Sequence, residues 1–102
     1  MVRNLKNITP IINFENTKAI YKVVSLNSIN NIWLKTIINS DIIVSALECN
    51  LPFTKNNDYK YTVTANQTGL YRIRIKLAYT NKRNSKIKYG QDLLLVVVEP
   101  IT

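Results

Sequence analysis

The clearest pattern along the chain is an alternation of large apolar and basic residues between Thr68 and Thr80. The odd positions are apolar or aromatic and three even positions are basic: Tyr71, Ile73, Ile75, Leu77 and Tyr79 against Arg72, Arg74 and Lys76. Because side chains alternate between the two faces of a strand, this period predicts a strand with one face in a core and the other in water. A helix would instead spread the basic residues around its circumference.

Further runs rich in β-branched and aromatic residues predict more strands, and turn residues separate them. With the strand over 68–80, the predicted strands are 7–14, 19–26, 32–38, 41–49, 59–65 and 92–99. The predicted loops are 27–31, 50–58 and 81–90. Short strands with turn signals about every 8 to 12 residues, and no helical period, predict an all-β protein.

Two of these runs also predict which side chains face the core. In the second strand we expect Lys22 to point outward, with Tyr21 and Val23 inward. In the fifth strand the apolar and aromatic side chains alternate strictly with polar ones, so the apolar set shares one face: Tyr59, Tyr61, Val63 and Ala65.

The whole pattern favours a seven-stranded immunoglobulin-like Greek-key β-sandwich, with residues 1–102 as a single domain. Trp33 lies on the third strand, where such sandwiches place a core Trp. Tyr71 follows Gly69 at the start of the sixth strand. This is the position of a tyrosine corner, in which the Tyr hydroxyl hydrogen-bonds nearby backbone. Gly69 is expected to supply a backbone angle that other residues resist.

The composition adds a strong positive charge. The 102 residues include 14 Lys and Arg and 6 Asp and Glu, for a net charge of +8. Such a charge attracts polyanions, anionic membrane surfaces or an acidic protein partner, although codon bias that inflates Lys, Asn and Ile would also produce it. The longest apolar run, 93–98, is too short for a membrane-spanning helix of about 20 residues. No signal-peptide pattern is visible, so we expect an intracellular protein or a mature secreted form.

The residue types argue against catalysis. The chain has no His and a single Cys, Cys49, which excludes a His-activated nucleophile, most zinc sites and an intrachain disulfide. Six acidic residues lie at predicted turns or strand ends: Glu15, Asp41, Glu48, Asp58, Asp92 and Glu99. No two of them are placed as an acid–base pair. We therefore expect a binding protein rather than an enzyme, with no cofactor and no metal.

Two basic features are candidate binding sites. The first is the outward row Arg72, Arg74 and Lys76, a candidate anion-binding site. The second is the predicted loop over 81–90, with Lys82, Arg83, Lys86 and Lys88. A solvated strand face and a charged hairpin tip explain the same residues without a ligand. Because no aromatic residue interleaves with the row, nucleic acid or another polyanion is less favoured as a partner than a protein.

The run 61–79, the basic loop after it and the terminal strand 93–98 resemble the C-terminal half of the chagasin-type inhibitors of papain-like cysteine peptidases. The resemblance implies an immunoglobulin-like sandwich in which three loops at one end enter the cleft of a papain-like cysteine peptidase. It assigns partner contacts to the three predicted loops: Asn27, Asn30 and Asn31, then Phe53, then Lys82, Arg83, Lys86 and Lys88.

Two other hypotheses remain open. The Tyr- and Ile-rich strands are also typical of a structural or adhesive sandwich, viral or cell-surface, that self-associates into an oligomer. The basic row and the basic loop are also typical of a module that binds a polyanion.

Overall fold

Strands are the only regular secondary structure in the part of the chain that the structure describes. This structure is a computed structural model, and it describes residues 10–38, 42–79 and 87–100. Its strands are β1 (Ile12–Phe14), β2 (Tyr21–Ser25), β3 (Ile29–Leu34), β4 (Ile42–Glu48), β5 (Phe53–Asn57), β6 (Lys60–Thr64), β7 (Gly69–Tyr79), β8 (Ile87–Tyr89) and β9 (Leu93–Val98). The described residues contain no helix long and apolar enough to cross a membrane.

The strands form two sheets. One has four strands in the order β1-β3-β6-β5, and the other has five, in the order β2-β9-β7-β4 with β8 also paired to β7. The pairing of β2 with β9 is parallel, and every other pairing of the described strands is antiparallel. β9 pairs with residues 69–73 of β7 and β8 pairs with residues 76–78. The two short strands therefore follow one another along β7.

The core is one apolar cluster between the sheets, as the alternating pattern predicts. Its members come from both sheets, and the largest fully buried side chains are Tyr61, Phe14, Ile12, Ile32, Ile73, Ile75, Leu77, Leu93 and Leu95. The all-β prediction is thus confirmed, and the arrangement is a sandwich.

β7 confirms the prediction made from its alternating residues. Ile73, Ile75 and Leu77 are fully buried, whereas Arg72 is exposed on the opposite face. The predicted corner is also present, because the Tyr71 hydroxyl donates a hydrogen bond of 2.8 Å to the Thr68 carbonyl. Gly69 has a φ of 136°, a conformation that side chains disfavour, so its predicted role is confirmed too.

Three predicted boundaries are wrong. The predicted loop 50–58 contains β5, and the predicted loop 81–90 contains β8. β3 begins at Ile29, inside the predicted loop 27–31, and ends at Leu34 rather than at residue 38. In β5, in β8 and at the start of β3, pairing with a neighbouring strand supplies the backbone hydrogen bonds and overrides the low strand propensity of Asn and Lys. The predicted segments at 7–9, 39–41 and 80–86 lie outside the described residues.

The predicted orientation of β2 is wrong by one residue. Tyr21 and Val23 are 54% and 51% exposed, whereas Val24 is buried and Lys22 is half-buried. The Lys22 ammonium lies 5.8 Å from the centre of the Phe14 ring. The alkyl stem of a lysine can line a core while its charge reaches outward, so Lys22 occupies an inner position that the sequence assigned to solvent.

Trp33 is not a core residue, which contradicts its predicted role. It is half-buried on β3, where Ile32 and Leu34 face the core and Trp33 faces outward. Its strand neighbours are Asn13 on β1 and Lys60 on β6.

Candidate functional site

The basic row on β7 faces outward as predicted, but acidic residues already accompany it. Arg72 and Arg74 both reach Asp92, with nitrogen–oxygen distances of 3.3 Å and 3.2 Å. Lys76 lies 3.8 Å from Glu48. Two carboxylates therefore balance two of the three cations, and the five side chains together carry one net positive charge.

Arg74 is also held by an aromatic ring. Its guanidinium carbon lies 4.8 Å from the centre of the Tyr89 ring. The hydrogen bond to Asp92 raises the pKa of Arg74 above its ordinary value. These contacts join β7 to β8 and to the residue before β9, and they explain the row as a set of links between strands.

The first predicted contact loop is split by the structure. Asn27 is exposed in a turn with a φ of 71°, and its backbone N–H donates to the Ala65 carbonyl at 2.7 Å. Asn30 is only 4% exposed and donates to Ser28 Oγ at 3.1 Å. The prediction that Asn30 lies in a loop is wrong, since its amide is buried at the start of β3.

Asn31 also lies in β3, on its outer face. Its amide nitrogen donates to Glu15 Oε2 at 2.9 Å, and its amide oxygen accepts from the Thr62 hydroxyl at 3.1 Å. Asn56 donates to the same Thr62 hydroxyl at 2.7 Å. These side chains form a polar row across the four-stranded sheet, and the predicted loop position of Asn31 is wrong.

The remaining predicted contact residues are spread over two elements. Phe53 opens β5 rather than lying in a loop, and it is 41% exposed. Lys88 lies in β8, paired with Leu77. The other three predicted residues lie outside the described residues: Lys82, Arg83 and Lys86.

The predicted loops do not converge on one end of the sandwich. The Leu26 N–H bonds to the Val98 carbonyl, which places the turn at Asn27 beside the start of β7. Phe53 pairs with Val63 at the same end. Tyr79 is the other end of β7, roughly 35 Å away along an 11-residue strand, and the predicted loop 81–90 comes after it in the sequence.

An apolar surface occupies the outer face of the five-stranded sheet. Tyr21 and Val23 of β2 are joined there by Leu70, which is 65% exposed, and Val98, which is 42% exposed. Strand register aligns the central row of this surface, in which Val23 pairs with Val96 and Val96 pairs with Leu70. We call this surface the apolar face; its residues are Tyr21, Val23, Leu70, Leu94, Val96 and Val98.

The apolar face reaches the edge of its sheet. β2 pairs with β9 on one side, and no other described strand pairs with its second side. Edge strands of this kind are usually protected by charged residues or proline on the exposed positions. The exposed positions of β2 are Tyr21, Val23 and Ser25, none of them charged, and the one charged residue of the strand, Lys22, takes an inner position.

A second surface lies on the outer face of the four-stranded sheet. An open groove of about 680 Å³ has Trp33 and Lys35 on one side and the turn 15–18 on the other. Two ammonium groups approach the Trp33 ring, that of Lys60 at 5.1 Å and that of Lys35 at 5.8 Å from its centre. We call this feature the Trp33 groove.

Cys49 lies next to a shallower cavity of about 420 Å³, which Tyr71 and Arg72 also line. Burial raises the pKa of its thiol, and a hydrogen bond from the Leu51 N–H lowers it by less. The thiol therefore keeps its proton near neutral pH, which suits a packing role. No group of three or more metal-ligating side chains occurs among the described residues.

No protein-family model matches this chain, and neither a curated protein nor a solved structure matches it. The two surfaces are thus known from geometry alone.

Sequence reasoning missed both surfaces for identifiable reasons. The apolar face depends on the orientation of β2. The sequence also contains a pattern for the observed orientation, because three apolar residues alternate with Tyr21 and Val23 and share the opposite face of the strand: Ile20, Val24 and Leu26. The contact of the Lys60 ammonium with the Trp33 ring depends on the cross-strand pairing of these two residues. Residues 27 positions apart carry no local signal of that contact.

Proposed function

We propose that the sandwich is immunoglobulin-like with Greek-key topology. The strand order supports this, because one sheet corresponds to strands A, B, E and D of that fold and the other to G, F and C. The parallel pairing of β2 with β9 is accounted for if the first strand divides between the two sheets. The Tyr71 corner at the start of β7 is a second supporting feature.

We further propose that the protein is a non-enzymatic binding module, and that its apolar face binds a second copy of the chain. The observation that carries this proposal is the aliphatic row Val23, Val96 and Leu70, which crosses three strands on an outer face. Isolated exposed apolar residues are ordinary, but contiguous ones on a sheet face are typical of interaction surfaces.

The geometry suits the apolar centre of an interface. Three strands and the residues 94–98 span roughly 10 Å by 14 Å. An interface of ordinary size surrounds such a centre with a polar rim, and Arg72 borders the apolar face because it pairs with Leu94. A net charge of +8 on each copy opposes association at low salt, so we expect a weak complex that salt strengthens.

Sedimentation velocity over a concentration series, in low and high salt, tests the proposal. Val23→Lys places a charge in the aliphatic row of the apolar face and should shift the protein to monomer at every concentration. Ile29→Lys is the matched control, because Ile29 is 70% exposed at the start of β3, in the other sheet. It should leave association unchanged.

A wild-type protein that stays monomeric at millimolar concentration in high salt contradicts this proposal. Equal loss of association in Ile29→Lys would show that charge alone, and not the apolar face, controls the complex. Circular dichroism of both variants separates a lost interface from a lost fold.

Inhibition of a papain-like cysteine peptidase is the second proposal, and the sheet order supports it because it fits the fold of the chagasin-type inhibitors. Two observations count against it: Asn30 is buried, and the turn at Asn27 lies beside the start of β7, at the opposite end of that strand from Tyr79. Assays against a panel of such peptidases decide the matter, and no inhibition at micromolar concentration excludes it.

A further inference from the structure

Trp33 occupies the centre of an outer sheet face rather than the core. It lies between Asn13 of β1 and Lys60 of β6 in the strand register. Side chains paired across antiparallel strands stand about 5 Å apart at Cβ. The indole therefore forms part of a surface that neighbouring strands hold in a fixed place, unlike an aromatic residue on a loop.

The cations around Trp33 are not balanced as those of β7 are. Lys60 and Lys35 both lie within 6 Å of the ring centre, and exposed Lys18 lines the same groove. Glu15 is the acidic residue that lines it, and Asn31 donates to its carboxylate. These four side chains give a net charge of +2, against +1 for the five of the Arg72 row.

The groove also has room for a planar ligand. Its volume of about 680 Å³ lies within the range of about 300–1,000 Å³ that is usual for ligand sites. Polar side chains extend from it across the sheet, since Asn31 contacts Thr62 and Thr62 contacts Asn56. A chain-like ligand that stacks on Trp33 would find hydrogen-bonding groups along the neighbouring strands.

We propose that the Trp33 groove binds single-stranded nucleic acid. A base stacks on the indole of Trp33, and Lys35 and Lys60 move from the ring to the flanking phosphates. Aromatic platforms with adjacent lysines are the general means by which proteins bind single strands without sequence preference. The net charge of +8 favours the same polyanion.

A neutral polysaccharide is the other ligand class that stacks on exposed Trp residues. The lysines favour nucleic acid over it, because a neutral sugar would displace two ammonium groups from the ring and give them no anionic partner in return. Cation–aromatic contacts of this kind are favourable, so displacing them without a replacement weakens binding.

The indole itself reports on the proposal, because Trp33 is the single Trp of the chain. Titration with oligothymidylate should quench its fluorescence to saturation, since stacking on a base quenches indole emission. Binding is measured in parallel with a labelled oligonucleotide by anisotropy, which also serves for variants that lack Trp33. We expect affinity to fall steeply as salt rises.

Four variants, two single and two double, separate the groove from general positive charge. Trp33→Ala should weaken binding by about 5- to 100-fold, and Trp33→Phe should recover much of that loss. Lys35→Gln with Lys60→Gln should lower the slope of log affinity against log salt by about 1.4, or about 0.7 for each phosphate contact. Arg72→Gln with Lys76→Gln removes the same charge from the other sheet and should change little.

Three results would overturn the proposal. The first is absence of quenching and of anisotropy change at low salt. The second is an equal loss of affinity in the two charge-matched double variants. The third is quenching by a neutral glucan in place of the oligonucleotide, which would assign the groove to polysaccharide. Thermal melts of each variant confirm that it is folded before its binding is compared.

Discussion

Gly90 allows two segments of backbone to approach more closely than any other residue type would. A Cβ at this position would lie 2.1 Å from the Pro10 carbonyl oxygen and 2.9 Å from its carbon. Both atoms belong to the backbone and cannot rotate away. Gly90 also donates its N–H to the Ile75 carbonyl at 3.1 Å. Gly90 therefore holds the segment between β8 and β9 against β7 through a hydrogen bond and against Pro10, before β1, through close packing.

We expect Gly90→Ala to destabilise the fold by about 1–3 kcal/mol, because the added methyl group forces either Pro10 or β7 to shift. Urea unfolding followed by circular dichroism measures the change. Gln91→Ala is the matched control at the next, exposed position and should change stability by less than about 0.5 kcal/mol. Equal stability of the Gly90 variant and the wild type would contradict the close approach.

The Tyr71 hydroxyl donates one hydrogen bond, and its contribution to the free energy of unfolding can be measured separately. Tyr71→Phe removes the hydroxyl that donates to the Thr68 carbonyl and keeps the ring against the core. We expect a loss of about 1 kcal/mol in the free energy of unfolding. Tyr21→Phe, on an exposed ring, should cost almost nothing. A Tyr71 variant as stable as the wild type would mean that the corner does not contribute to stability.

At the scale of elements, periodicity alone predicts β6 and β7 but not β3 and β5. The buried residues of β7 are all apolar and three of its outward ones are basic, so its register is unambiguous. β3 buries Asn30 and exposes Ile29 to 70%, because Ile32 and Leu34 fix which face meets the core. β5 has no buried side chain at all. Its sequence carries no period, and only its pairing with β6 makes it a strand.

The candidate surfaces were harder to predict than the strands. An apolar residue on an outer face looks the same in sequence as a core residue, so the sequence predicts core positions for Tyr21, Val23 and Trp33. The sequence predicts the basic row of β7, but it does not predict that Asp92 forms ion pairs with Arg72 and Arg74. Both the outward apolar residues and the ion pairs of the basic row depend on which side chains lie opposite each other on neighbouring strands. No short stretch of sequence carries that information.

Lys22 takes an inner position because β2 turns Val24 toward the core, and that position can be tested. Lys22→Glu replaces a cation near the Phe14 ring with a carboxylate that aromatic faces repel and that has a shorter stem. We expect a loss of about 1–2 kcal/mol in the free energy of unfolding, measured by urea titration. Lys22→Met keeps the apolar stem and should be close to neutral. If Lys22→Glu proves harmless, Lys22 faces solvent and Tyr21 the core.

For the whole molecule, the two proposed surfaces lie on opposite outer faces and respond to salt in opposite directions. Salt screens the repulsion between two copies with a charge of +8, so association through the apolar face should strengthen as salt rises. Salt also competes with phosphate contacts, so binding through the Trp33 groove should weaken. Sedimentation and anisotropy on the same samples, from about 0.05 M to about 0.5 M salt, measure both trends. If self-association and oligonucleotide binding change in the same direction as salt rises, one of the two proposed surfaces is wrongly assigned.

The position of β9 between β2 and β7 has a consequence for synthesis. The ribosome synthesises β2 and β7 before β9, so one edge of each strand stays unpaired until β9 is available. The five-stranded sheet cannot close until β9 has left the exit tunnel, so it forms after translation of nearly all of these residues. A nascent chain halted before Leu93 would leave β2 and the first part of β7 without the strand that pairs with both, and unpaired strand edges of this kind promote aggregation.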